Sequence, residues 1–168
     1  MATAEDVYDV IIIGAGWSGL LSCKYALEEN LSVKVIEKRE DVGGVWKFSP
    51  DPNITTVMKN STTSSSNTVT EISDFPMPTR IGDFPKHQDI KSYLDDFANK
   101  HNLRRHIHFG TSVKKVHKIK NVWYIETHNN KEYRSKNVIV CSGVHQKANC
   151  DLQQGILKGF EGKHDLTQ

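Results

Sequence analysis

The sequence predicts an α/β fold, a parallel β-sheet flanked by helices, with a small antiparallel β-meander inserted into it. Three observations carry this. Residues 10–13 (VIII) form a short apolar, β-branched run of the kind that makes a strand covered on both faces. Residues 14–19 (GAGWSG) follow at once, and Leu20, Cys23 and Leu27 then recur at helical spacing. A second apolar run, 137–141 (NVIVC), returns near the end of the chain after a stretch of alternating, strand-like sequence.

The elements follow in order. After the first strand, the glycines and a helix, residues 31–37 (LSVKVIE) alternate and predict a second strand. Gly43 and Gly44 mark a turn; Trp46 and Phe48 beyond it are candidates for core or for the wall of a ring-shaped ligand, and their spacing favours core. Residues 49–86 are a long polar tract holding all five prolines and the run NSTTSSSNTVT. So long a tract without periodicity is functional or a flexible linker, and Ile72, Phe75 and Phe84 are its candidate anchors on a core. Ile90, Tyr93, Leu94, Phe97 and Ala98 then line one face of a helix that ends near Asn102. Residues 105–119 suggest a strand, a break at Gly110 and another strand. His106 and His108 would share one face of the first of these, without a third metal ligand in view. Residues 123–127 (WYIET) alternate, and Asn129 and Asn130 give a turn, so 111–135 reads as the meander.

Composition narrows the function classes. The 168 residues carry a net charge of +2, with no basic footprint for nucleic acid or an anionic membrane. Arg104, Arg105, Lys114 and Lys115 read as solvated faces. No apolar run reaches transmembrane length. The N-terminus, MATAEDVYD, is acidic and does not read as a signal peptide. Cys23, Cys141 and Cys150 are odd in number and lack metal-site spacing, which fits reduced thiols.

The glycines carry chemistry. Gly14, Gly16 and Gly19 stand in the spacing G-x-G-x-x-G between a strand and a helix, the context of a Rossmann-like dinucleotide fingerprint. Gly14 permits the turn, Gly16 lets a pyrophosphate approach the backbone, and Gly19 lets helix and strand pack closely. Ser18 lies at the helix start, where free N–H groups attract anions. Glu37, 23 positions after Gly14, stands where a ribose hydroxyl is usually held. A carboxylate there disfavours a 2′-phosphate; Lys38 and Arg39 soften that argument, although both read more simply as a solvated loop.

Together these residues resemble the N-terminal part of the flavin-containing monooxygenases, over nearly the whole chain to about Cys150. The matching pieces are GAGWSGL at 14–20, VIEKREDVGGVW at 35–46, SDFPMP at 73–78, YLDDFANKHNL at 93–103, GTSVKKV at 110–116 and IVCSG at 139–143. The resemblance implies that the first glycine motif holds FAD through Gly14, Ala15, Gly16, Trp17, Ser18 and Gly19, with the ribose on Glu37. It places Gly44, Val45 and Trp46 at the cofactor, Val113 on the strand passing the adenine, and Ser142 and Gly143 in a strand-end turn. It implies an FAD- and NADPH-dependent monooxygenase that passes one oxygen of O₂ to a soft nitrogen or sulfur nucleophile, a dimethylaniline monooxygenase-like activity. A flavin-facing Asn precedes SDFP in the family. Reading forward it is Asn60, followed by Ser61; counting back from SDFPMP gives Ser64 and Ser65.

The departures set further expectations. Prolines usual after the strand-end turn are replaced, with Ala148 and Asp151 at the matching places, and a second G-x-G-x-x-G does not occur. Residues 1–150 are therefore expected to be the N-terminal part of an FAD-binding domain and 151–168 a truncated tail, with the NADPH domain of this two-dinucleotide flavoprotein class absent. The 168 residues alone are expected to be catalytically inactive. The alternatives are a fragment of a Baeyer–Villiger-type flavoenzyme and a non-catalytic nucleotide-binding module. The expected setting is the cytoplasm or the cytosolic face of an internal membrane.

Overall fold

The computed structural model of the chain describes residues 7–144. The expectations for the tail, 151–168, and for Ala148 and Cys150 lie outside the described residues. The order of elements is β1 (Val7–Ile13), α1 (Trp17–Glu28), β2 (Val33–Ile36), a 3-10 turn (Gly44–Trp46), α2 (Asn67–Thr70), α3 (His87–Lys100), a second 3-10 turn (Leu103–His106), β3 (Ile107–His108), β4 (Val113–Ile119), β5 (Val122–Thr127) and β6 (Glu132–Val140).

One six-stranded sheet runs in the order β3-β2-β1-β6-β5-β4. β1 lies inside it, pairing in parallel with β2 and with β6. The apolar run that predicted β1 reflects this position, since both faces of the strand are covered. Val10 and Ile12 join the core under α1 and α3, together with Leu20, Cys23, Ile90, Tyr93, Leu94 and Phe97. Ile11 faces the other way, into a second cluster with Ile36, Ile125, Val113, Val116 and Trp123. The parallel strands are thus sandwiched between helices on one face and the meander on the other.

The meander and the parallel sheet are continuous, which their sequences do not reveal. β6 is one strand with two uses. Residues 132–135 pair antiparallel with β5, while β6 also runs parallel to β1 from Arg134 to Val140. β4 ends the hydrogen-bonded order, yet Gly110 and Thr111 just before it donate to the carbonyls of Arg39 and Glu37 beyond β2. The meander therefore folds back across the sheet.

α3 buries the predicted face, with Ile90, Tyr93, Leu94, Phe97 and Ala98 all at most 1% exposed. Burying each large apolar side chain on that face contributes about 1.5–3 kcal/mol. Asp89 caps the helix by accepting from the Lys86 amide at 2.9 Å.

The tract 49–86 is a built part of the fold rather than a linker. The Tyr93 hydroxyl accepts from the Ile72 amide at 2.8 Å and donates to the Phe75 carbonyl, closing a small turn on α3. Ile72 is buried and Phe75 packs against the helix-side core, as anchors should. Phe84 is a correction: it is 59% exposed, and Met77 and Ile81 fill the space against the core. His106 is another. It lies in the second 3-10 turn, while His108 on β3 bonds through Nδ1 to the Tyr133 hydroxyl.

Candidate functional site

The site is built where three parallel strands end together. The Gly14 amide donates to the Ile36 carbonyl and the Cys141 amide to the Ile13 carbonyl, each at 2.8 Å. The ends of β1, β2 and β6 are thereby side by side, the position at which open α/β sheets bind ligands. Gly14 turns the chain with φ +102°, and a methyl group there would collide with the Cys141 carbonyl. Gly19 lies against the Gly14 carbonyl with no space for a side chain. These two glycines are required by the protein's own backbone.

Gly16 differs. It is the N-cap of α1, with φ −80°, a conformation open to any residue. A Cβ built on it meets nothing closer than 3.4 Å, the Gly44 Cα. The protein's own backbone thus tolerates a methyl group here, in contact with Gly44. α1 has no side-chain cap and no acid in its first turn, so its first amides face outward with the helix dipole behind them. A pyrophosphate fits both features.

Glu37 stands just past β2 and is 5% exposed. Its Oε2 accepts from the Ala15 amide at 2.6 Å, and its Oε1 from the Arg39 amide at 2.8 Å. The carboxylate is thus fixed beside the glycine loop, and each oxygen keeps acceptor capacity for a hydroxyl donor.

The Gly43 and Gly44 turn forms the opposing wall. The Gly43 amide donates to the Ala15 carbonyl at 3.0 Å, and the bare Cα of Gly44 faces that of Gly16. Arg39, which reads from the sequence as solvated, instead clamps this wall: its guanidinium donates to the Gly44 carbonyl at 2.9 Å and the Lys47 carbonyl at 2.8 Å. Burial lowers the Arg39 pKa, against the pull of Glu37 and Asp41, both of which favour the cation. Its only sequence signal was proximity to Glu37.

The remaining sequence-predicted residues fall at varying removes. Trp17 opens α1 with its ring 5.9 Å from that of Tyr93, and Ser18 is exposed beside it. Val45 is 39% exposed, and its carbonyl accepts from the Val57 amide. Trp46 is half-buried against the helix-side core, and the Phe48 ring lies 5.8 Å from that of His87, tilted to it. Ser142 and Gly143 follow Cys141 at the end of β6 and are exposed. Val113 opens β4 and packs in the meander-side cluster with Ile36. Asn60 is exposed, and Ser61 accepts from the His87 amide, which ties this pair to the start of α3. Ser64 is exposed; Ser65 bonds to the Thr70 hydroxyl.

A family model described as flavin-binding monooxygenase-like matches residues 8–165. The chain belongs to that family. It is 34% identical to flavin-containing monooxygenase 3 of Oryctolagus cuniculus, over 92% of this chain and 31% of that protein. Against flavin-containing monooxygenase 3 of Macaca mulatta it is 36% identical, over 92% of this chain and 31% of that one. The chain spans about a third of the length of these flavin-containing monooxygenases. Among solved structures, cyclohexanone monooxygenase from Rhodococcus sp. Phi1 bound to NADP+ superposes with a TM-score of 0.74. The identity is 26%, over 86% of this chain and 27% of that one. S-allyl-L-cysteine S-oxygenase from Allium sativum, at 23% identity and a TM-score of 0.72 over 82% of this chain and 37% of that one, shares the fold. Family membership and fold agree with what GAGWSGL, SDFPMP and the parallel sheet imply.

Proposed function

We propose that residues 1–150 form the FAD-binding N-terminal part of a flavin-dependent, NADPH-using monooxygenase. The observation that carries this is the pairing of Glu37 with Ala15 beside Gly16 and the uncapped first turn of α1, which sets a ribose acceptor next to a pyrophosphate cradle. In this reading the first-turn amides of α1 hold the pyrophosphate, and Glu37 accepts from the ribose. Arg39 is committed to the Gly44 and Lys47 carbonyls and leaves Glu37 facing a ribose without a 2′-phosphate, which favours FAD over NADPH here.

Trp17, Gly44, Val45 and Trp46 line the wall, Val113 approaches the adenine side, and Ser142 and Gly143 close the end of β6. Asn60 and Ser61, or Ser64 and Ser65, are the candidates for the flavin-facing position. When bound, FAD supplies the redox chemistry by which O₂ gives one oxygen to a soft nitrogen or sulfur nucleophile. The protein's part is to bind, orient and keep water from the cofactor.

The sequence carries a single dinucleotide fingerprint, so the 168-residue chain is proposed to bind FAD without turning over NADPH. Titration with FAD, followed by flavin fluorescence, tests the first statement; failure to bind removes it. NADPH added in air with methimazole tests the second. A steady yield of the S-oxide would show that NADPH binds and is used without a second glycine motif.

A further inference from the structure

The wall of the groove is held from behind by four charged side chains that do not face it. Lys91 Nζ lies 3.0 Å from Asp41 Oδ2 and 2.5 Å from Asp95 Oδ2. Arg104 Nη1 lies 2.8 Å from Asp41 Oδ1, and its Nη2 2.6 Å from Asp95 Oδ1. The four make a closed ring in which each carboxylate is shared by both cations and each cation by both carboxylates. Three separate segments meet in it: the loop after β2, helix α3, and the 3-10 turn before β3. The ring is half-buried, with side-chain exposures of 16% for Lys91, 26% for Asp41, 28% for Asp95 and 37% for Arg104. A single exposed pair is worth little, but a half-buried closed network resists any one side chain leaving, since each departure breaks two contacts.

The ring reaches the groove through Lys91. Its aliphatic stem crosses Gly43 so closely that a Cβ there would stand 2.6 Å from Lys91 Cδ. Gly43 in turn bonds to Ala15, and Gly44 packs its bare Cα on Gly16, where an added Cβ would come within 2.9 Å. The glycine pair is thus pressed between α3 and the glycine loop.

We propose that Asp41, Lys91, Asp95 and Arg104 are positioning residues that hold the Gly43 and Gly44 turn at a fixed distance from Gly16 and so set the width of the pyrophosphate cradle. This rests on the reading that the groove takes FAD. It assigns a binding function to residues that touch no part of the ligand.

The test compares FAD, ADP and adenosine binding to the wild-type chain and to Asp95→Asn and Lys91→Met. Asp95→Asn keeps shape but loses both charge pairings; Lys91→Met keeps the stem over Gly43 but loses the charge. Adenosine spans the Glu37 end without the pyrophosphate. Affinity for FAD and ADP should fall at least fivefold in both variants while that for adenosine stays within twofold. Hydrogen exchange should quicken at residues 43–46 more than in β1. Equal loss for all three ligands would mean the ring only supports the fold, and unchanged affinities would mean it does not shape the cradle; either overturns the proposal. Wild-type protein that binds neither FAD nor ADP would remove the underlying reading, and this inference with it. Lys91→Arg, which restores the charge, should recover part of the lost ADP affinity.

Discussion

The Ala15 amide donates to the Glu37 carboxylate over 2.6 Å, although 22 residues separate the two in sequence. This bond ties the loop after β1 to the end of β2 before any ligand arrives. Glu37→Ala would leave two backbone amides without their acceptor, that of Ala15 in a buried place and that of Arg39 in a half-buried one. It should therefore lower folding stability by about 1–3 kcal/mol as well as weaken FAD. Glu37→Gln, which keeps one acceptor oxygen, should fall between. Urea unfolding and FAD titration of the same samples check this, and unchanged values in both would remove Glu37 from the site.

Gly16 and Gly19 should behave differently when replaced by alanine. Gly19→Ala drives a methyl into the Gly14 carbonyl and should severely destabilise or unfold the chain. Gly16→Ala brings its methyl group to 3.4 Å from the Gly44 Cα, an ordinary contact, so its stability loss should stay within about 1 kcal/mol, the scale of exchanging a residue at an N-cap. FAD affinity should nonetheless fall at least tenfold. Melting temperatures alongside FAD titrations separate the two effects.

Acid should act on the ring behind the groove. Burial raises the Asp41 pKa, but hydrogen bonds from Arg104 and Lys91 outweigh it and hold the carboxyl below its usual range. A depressed native pKa means that Asp41 contributes its full stability above the ordinary carboxylate value and loses it as pH falls through the native one. The stability difference between the wild-type chain and Asp41→Asn should therefore hold steady from neutral pH to about pH 5 and shrink below about pH 4. At neutral pH Asp41→Asn should be the less stable protein, and the two curves should converge in acid. Urea titrations at several pH values would reveal a constant gap if the ring contributed nothing.

Cys23 should be silent to alkylation. It is fully buried on α1, and burial pushes its thiol up to about 11. At pH 8 only about one thiol in a thousand would then be ionised. Iodoacetamide followed by peptide mass spectrometry should label half-buried Cys141 ahead of Cys23, and reach Cys23 only in denaturant. Rapid labelling of Cys23 in the folded chain would show that α1 opens readily.

Much of the site was legible because its signals are local. A turn needs glycine at Gly14, close helix packing needs it at Gly19, and an acid follows the next strand at a nearly constant distance. These constraints act within one strand–turn–helix–strand unit, so spacing alone exposes them. The apolar face of α3 was legible for a similar reason: a helix repeats every 3.6 residues and buries one side.

Tertiary structure decided what depends on distant partners. Arg39 is indistinguishable in sequence from its exposed neighbour Lys38, and it is the carbonyls of Gly44 and Lys47 that give Arg39 its role. Phe84 has the composition of an anchor, but Met77 and Ile81 occupy the core. β6 serves both the parallel sheet and the meander because two different strands arrive at its edges. The ring joining Asp41 to Arg104 closes across 63 residues with no periodic signature, since an ion pair requires only that two opposite charges meet in space. Local geometry is written in the order of residues, whereas the choice among many possible charged and apolar partners is made by the packing that brings segments together.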